Sequence, residues 1–140
     1  MQILVDTGVA LDVQLRREPW LTDAAAIWEA MEEQLVTGWL TASSLTDIFY
    51  LVRRAVDIAA AQAAVRLCLK TFAICTVDRA ALEDALALPG ADFEDNLQIA
   101  CAVLAQLDGI VTRNAKGFRD ASLAIFTPAE LRAKLGSSEE

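Results

Sequence analysis

Five side chains carry oxygen at positions that suit metal-assisted chemistry: Asp6, Asp47, Asp92, Asp95 and Asn114. Asp6 comes directly after the apolar run Ile3-Leu4-Val5. Asp47 lies in Ser43-Ser44-Leu45-Thr46-Asp47, soon after Gly38-Trp39-Leu40-Thr41. Asp92 and Asp95 open a long apolar-faced segment, and Asn114 follows Gly109-Ile110-Val111-Thr112. Carboxylates brought together repel unless a cation neutralises them, and Mg²⁺ or Mn²⁺ prefers oxygen ligands. Such a site suits phosphoryl chemistry, because the cation acidifies water and screens the charge building on a phosphate. The neutral Asn114 side chain offers a carbonyl oxygen, as a ligand or as a hold on the cation's water shell.

Each residue also has a plainer reading. Asp6 could cap a helix that begins at Thr7-Gly8. Ser44 with Asp47, and Asp92 with Asp95, have the spacing of a capping box with Asp in place of the usual Glu or Gln. Asn114 suits a tight turn. Taken singly, capping is the simpler role for Asp47, Asp92 and Asp95. Taken together, the residues follow strands, or open a helix, at what would be one end of a parallel sheet, where ligands bind in such folds.

The elements that must position them alternate between short apolar runs and longer helical stripes. Strands are expected at Ile3-Leu4-Val5, Gly38–Thr41, Phe72–Val77, Gly109–Thr112 and Leu123–Phe126. A helical stripe over 23–35 carries Ala24, Ile27, Trp28, Met31 and Leu35. Further helices are expected over 44–54 and over 57–70, the latter with Ile58, Ala61, Val65 and Leu69 inward. Asp78 caps a helix that Pro89-Gly90 stops, and the strongest helix runs from Phe93 to Leu107. Thr127-Pro128-Ala129-Glu130 opens a last helix with Pro at its first position. The strands are uniformly apolar, which indicates a parallel sheet covered on both faces. The chain of 140 residues is expected to form one domain over 1–135 with a frayed tail at 136–140.

Composition excludes several classes. The sequence has no histidine, which removes Ser-His-Asp and Cys-His catalysis and HExxH zinc sites. Acidic residues outnumber basic ones 20 to 12, for a formal charge of −8. A general polyanion binder is therefore excluded, and any nucleic-acid contact needs metal or a local basic rim. Arg53-Arg54, Arg113, Lys116 and Arg119 are candidates for that rim, whereas Arg16-Arg17 read as a solvated helix end. Trp28, Phe49 and Phe93 read as core. Cys68, Cys75 and Cys101 form no CxxC pair and read as buried, reduced thiols of a cytoplasmic protein. The start of the sequence lacks the basic leader of a signal peptide, and Asp57, Gln62 and Arg66 interrupt the Ala-rich stretch, so no membrane span is expected.

The ordered set of these segments resembles the PIN-domain family, small metal-dependent ribonucleases that include VapC-type toxins of bacterial toxin–antitoxin pairs. The resemblance rests on Ile3-Leu4-Val5-Asp6-Thr7, Ser44-Leu45-Thr46-Asp47-Ile48-Phe49-Tyr50-Leu51, Asp92-Phe93-Glu94-Asp95-Asn96-Leu97-Gln98, and Ile110-Val111-Thr112-Arg113-Asn114 with Lys116 and Phe118. It implies a three-layer α/β/α sandwich around a parallel sheet of about five strands. It also implies an acidic pocket that binds Mg²⁺ or Mn²⁺ and cleaves RNA. Asp6 and Asp95 look like metal-binding acids, and Asp92 like an accessory one. Asp47 stands where many members have Glu, and Asn114 where many have a fourth Asp. Gly8 replaces a common Asn, and Gly117 a common Asp.

The resulting expectation is a metal-dependent endoribonuclease with Asp6, Asp47, Asp95 and Asn114 at work. An antitoxin partner and a two-fold homodimer are expected with it. The alternative is a PIN-like module of weak activity that acts through protein or RNA contacts. A phosphatase or receiver-like domain fits less well, because Gly8 stands where such phosphatases carry a second acid.

Overall fold

The computed structural model describes residues 1–139, with side chains described through Gly136. In chain order the elements are β1 (Gln2–Val5), α1 (Thr7–Gln14), α2 (Leu21–Glu32), β2 (Thr37–Thr41), α3 (Ala42–Ala55), α4 (Ile58–Thr71) and β3 (Ala73–Cys75). Then come α5 (Arg79–Ala87), α6 (Phe93–Leu104), β4 (Gly109–Val111), a 3-10 turn (Ala115–Phe118), β5 (Ala124–Phe126) and α7 (Pro128–Glu139). The frayed tail expected at 136–140 falls mostly on residues whose side chains lie outside those described. No helix among the described residues is long and apolar enough to cross a membrane.

The five strands pair in parallel in the order β3-β2-β1-β4-β5. The chain therefore runs outward from β1 to β3, then returns to lay β4 on the other side of β1. That reversal opens a crevice at the carboxyl ends of β1 and β4, where α/β sheets bind ligands. Side chains alternate across the sheet, as strand geometry requires. Ile3 and Val5 pack with α1, α2, α3, α4 and α7 on one face. Leu4 packs with α5, α6 and the 3-10 turn on the other. Three layers result, as the sequence implied.

Local signals explain most helix starts. Asp57, Asp78 and Asp92 accept backbone N–H bonds from Ala60, Ala81 and Asp95 at 2.8, 3.0 and 3.0 Å. Thr127 and Glu130 form a reciprocal capping box, at 2.9 and 3.2 Å. Three helix faces differ from expectation. The stripe expected over 23–35 ends with α2 at Glu32, and Leu35 lies beyond it and is exposed. The inner face of α4 is Ala61, Ala64 and Cys68, whereas Ile58 and Leu69 are exposed. Small residues let α4 approach α3 closely, so the large apolar stripe points outward. Phe93, at the first position of α6, is exposed rather than core, because α6 enters the interior only from Asn96 onward. Trp28 is buried as expected and meets Phe72 edge-on, with ring centroids 5.1 Å apart. All three cysteines are free and buried.

Candidate active site

Asp6 occupies the N-cap position of α1, yet its side chain caps nothing. Its carboxylate turns into the crevice instead. Gln98 Nε2 donates to Oδ1 at 3.0 Å and the Thr112 hydroxyl donates to Oδ2 at 2.7 Å. Gln98 comes from the buried interior of α6, and Thr112 from the end of β4. The α6–β4 side of the topological switch thus fixes a carboxylate that β1 supplies. The Thr112 hydroxyl also accepts the backbone N–H of Asn114 at 3.0 Å, which sets the turn after β4.

Asp47 is carried by α3, whose start lies earlier than Ser44. Thr41 is the N-cap and accepts the Ser44 N–H at 3.2 Å, so Ser44 and Asp47 do not form the capping box their spacing allowed. Ser44 Oγ is instead the middle of a buried hydroxyl chain, 2.7 Å from Thr7 Oγ1 and 2.8 Å from Thr41 Oγ1. This chain ties the first turn of α1 to the first turn of α3. It thereby holds Asp47, one turn on, in the same cleft as Asp6.

Asp6, Asp47, Glu94 and Asp95 line one open cleft of about 600 Å³, with Arg17, Tyr50 and Arg113 at its sides. Glu94 was missed in the sequence, where it reads as one more acid in a helix's first turn. Burial pushes its carboxyl up to about 7, helped by the charge of Asp47, a hydrogen bond between these two carboxyls, and the charges of Asp6 and Asp92. Burial likewise raises Asp95 to about 6, with the charges of Asp92 and Asp6 adding to it. Asp92 itself is an exposed cap, acting on the cleft through its charge. Asn114 is exposed and donates its amide to Asp95 Oδ2 at 3.5 Å, so it meets the acid with its nitrogen rather than its oxygen. A Cβ built on Gly117 would collide with the same Asp95 oxygen and come within 2.8 Å of Asn114 Nδ2. The glycine is what lets the 3-10 turn press against Asp95. At Gly8 the nearest neighbour of a Cβ is Arg113, 3.9 Å away, so that position has room.

The basic residues divide differently from the sequence reading. Arg17 is no solvated helix end. Arg16 takes a left-handed φ of 52° after α1, which turns the chain back. Arg17 then places Nε 2.9 Å from Asp12 Oδ1 and donates from Nη2 to the Gly8 carbonyl at 3.1 Å. Arg113 approaches the same Asp12 from the other side, with Nε 2.8 Å from Oδ2. Asp12 has no exposed side-chain surface, while Arg17 and Arg113 keep 36% and 31% of theirs. One buried carboxylate therefore fixes two cations at the edge of the acidic cleft. Arg53 and Arg54 lie in the last turn of α3, away from the cleft. Lys116 and Arg119 are exposed and do not line it.

Among the described residues, no group of three or more acidic or cysteine side chains is already arranged to hold an ion. The donor chemistry nonetheless fits a hard dication. The cleft offers oxygen ligands, four of them carboxylates, and Glu94 and Asp95 are held above their ordinary pKa by burial and by the charges of Asp6 and Asp92, a penalty that a cation removes.

Solved structures carry the same fold. FitAcB from Neisseria gonorrhoeae superposes with a TM-score of 0.69 at 19% identity, over 91% of this chain and 98% of that one. A chain of a toxin–antitoxin complex from Klebsiella pneumoniae gives 0.66 at 21% identity, over 90% and 97%. VapC20 of Mycobacterium tuberculosis, a sarcin–ricin loop cleaving toxin, gives 0.63 at 17% identity, over 77% and 86%. Among curated proteins, none matches by sequence. The model of the PIN domain matches residues 2–116, and the chain belongs to the PIN-domain family.

Proposed function

We propose that this protein is a metal-dependent endoribonuclease, the toxin of a toxin–antitoxin pair. The observation that carries the reading is the cleft itself: Asp6, fixed by Gln98 and Thr112, shares it with Asp47, Glu94 and Asp95, and two clamped arginines flank it. Asp6, Asp47 and Asp95 would hold Mg²⁺ or Mn²⁺, with Glu94 beside them and Asp92 as an accessory charge. When bound, such a cation neutralises a phosphodiester and lowers the pKa of water. The chain's own residues do the rest. Arg17 and Arg113 bind phosphate oxygens, and their guanidiniums are pre-oriented by Asp12, so little side-chain entropy is lost on binding. Gln98 and Thr112 keep the Asp6 carboxylate in one orientation. Glu94 holds a proton against Asp47 near neutral pH in the metal-free protein. One relative in fold comes from a toxin–antitoxin complex and another is named a sarcin–ricin loop cleaving toxin, which supports an RNA substrate and an antitoxin partner.

Self-association as a two-fold dimer belongs to the same reading. Exposed leucines gather on α4 and α5, at Leu67, Leu69, Leu82 and Leu86, rather than on α2. A second reading, a weakly active binding module, is favoured by the Asn114 amide that engages Asp95. Mn²⁺ titration by calorimetry tests both. The nuclease requires binding in the wild type that Asp6→Asn and Asp95→Asn remove. No binding at millimolar metal leaves only the module.

A further inference from the structure

Beside the acidic cleft lies a smaller cavity of about 240 Å³ that shares the Arg113 side chain with it. Its walls are Trp20, Pro19 and Pro128, and its edges are Asp23 and Thr127. Trp20 is 41% exposed, although an indole is the largest apolar side chain a protein can bury. The Arg113 guanidinium carbon sits 3.8 Å from the Trp20 ring centroid, and Asp12 holds that guanidinium in place. Trp20 is therefore a fixed platform, presented to solvent and one residue away from the phosphate-facing side of the cleft.

The polar edge is selective. Arg132 engages Asp23 Oδ1 at 3.0 Å, which leaves Oδ2 as an acceptor. The Thr127 hydroxyl accepts the Glu130 N–H at 3.2 Å and donates to the Glu130 carboxylate, so it is already paired. Flat apolar walls with one open acceptor match the stacked edge of a nucleobase that carries an exocyclic amine. That amine would face Asp23, and uracil has none to offer.

We propose that this cavity is a nucleobase subsite, which takes the base of a nucleotide next to the one in the acidic cleft and prefers cytosine or adenine to uracil. The proposal rests on the RNA reading above and adds to it a base preference and the residues that set it.

Short single-stranded oligomers of C, A or U provide the probe, with binding measured by fluorescence anisotropy and Ca²⁺ supplied in place of Mn²⁺ to hold off cleavage. The wild type is expected to bind the C and A oligomers about tenfold more tightly than the U oligomer. Trp20→Ala is expected to lower C and A binding to the level of U, and Trp20→Phe to keep most of the preference. Ala129→Leu, on an exposed position at the mouth of the cavity, fills it without touching the Arg113–Trp20 stack and is expected to act like Trp20→Ala. Circular dichroism confirms that each variant folds. Loss in Trp20→Ala with none in Ala129→Leu overturns the proposal, because the effect then runs through Arg113. RNA binding that neither variant changes also overturns it, as it would if the cavity received an apolar peptide side chain. Absence of RNA binding of any composition in the wild type overturns the RNA reading and the subsite with it.

Discussion

Arg113 Nε lies 2.8 Å from Oδ2 of Asp12, a carboxylate with no exposed side-chain surface. The two residues are 101 positions apart, and no local pattern announces the pair. Asp12 also holds Arg17, so a single buried acid sets both cations of the cleft. Asp12→Ala is expected to cost about 2–3 kcal/mol of stability, below the full range for a broken buried pair because both guanidiniums keep contact with water. Urea denaturation measures it. A change within about 0.5 kcal/mol would show that the clamp carries no stability.

Thr112→Val keeps the shape of a buried side chain but removes the donor to Asp6 and the acceptor for the Asn114 N–H. A stability loss of about 1–2 kcal/mol is expected from the unmade bonds. Mn²⁺ affinity should fall as well, since Asp6 is then free to rotate. Thr112→Ser restores the hydroxyl and should restore affinity. Equal Mn²⁺ affinity in wild type and Thr112→Val would sever Thr112 from the site.

Glu94 and Asp95 give the metal-free protein a distinctive pH dependence. Both acids hold protons more tightly folded than unfolded, with folded values of about 7 and about 6 against ordinary values of 4.5 and 3.8. Their contribution to stability is full below the ordinary values and is lost as pH rises through about 6 for Asp95 and about 7 for Glu94. Thermal melts in EDTA should show this decline, and Glu94→Gln should flatten its upper part. Mn²⁺ should raise the melting temperature more above the window than below it. A Glu94→Gln profile that parallels the wild type would contradict the coupling.

Asn114→Asp replaces an amide that donates to Asp95 with a second charge beside it. Tighter Mn²⁺ binding by roughly tenfold, about 1.4 kcal/mol, is expected. The metal-free variant should be less stable than wild type at neutral pH, because three acids then crowd the turn. Paired calorimetric titrations and melts check both, and unchanged affinity removes Asn114 from the site.

What the sequence disclosed was set by range. Short apolar runs and the caps at Asp78, Asp92 and Thr127 are local, so the strands and several helix starts were legible, whereas the cap at Asp57 was not singled out. Asp6 stood out by its place directly after a first strand, where capping a helix was an equal reading that the structure does not bear out. The Ser44–Asp47 spacing misled, since Thr41 starts α3 one turn earlier and turns Ser44 into a tertiary contact with Thr7. Gln98 was hidden in an apolar helix face, where a buried amide reads as an interruption rather than as a partner for Asp6 92 positions away. Arg17 depends on the left-handed turn at Arg16, a conformation that a non-glycine residue does not advertise. In α4 the pattern was read by size, and close packing instead favoured the small side chains Ala61 and Ala64.

Exposed leucines on α4 and α5, the helices before and after the edge strand β3, should support a dimer. Leu86, 78% exposed, is the most open large apolar side chain among the described residues. Sedimentation at micromolar concentration should give a species of twice 15.1 kDa, and Leu86→Asp should give the monomer. A wild-type monomer that persists when an antitoxin is supplied would contradict this.

RNA cleavage at the Asp6 cleft is read most directly from a gel-resolved time course of single-stranded RNA with purified protein. Wild type, Asp6→Asn and Asp95→Asn are compared, each with Mn²⁺ and with EDTA. Fragments are expected from the wild type with Mn²⁺ alone, and none from either variant. Intact RNA with metal-loaded wild type, or equal cleavage by Asp6→Asn, would contradict it.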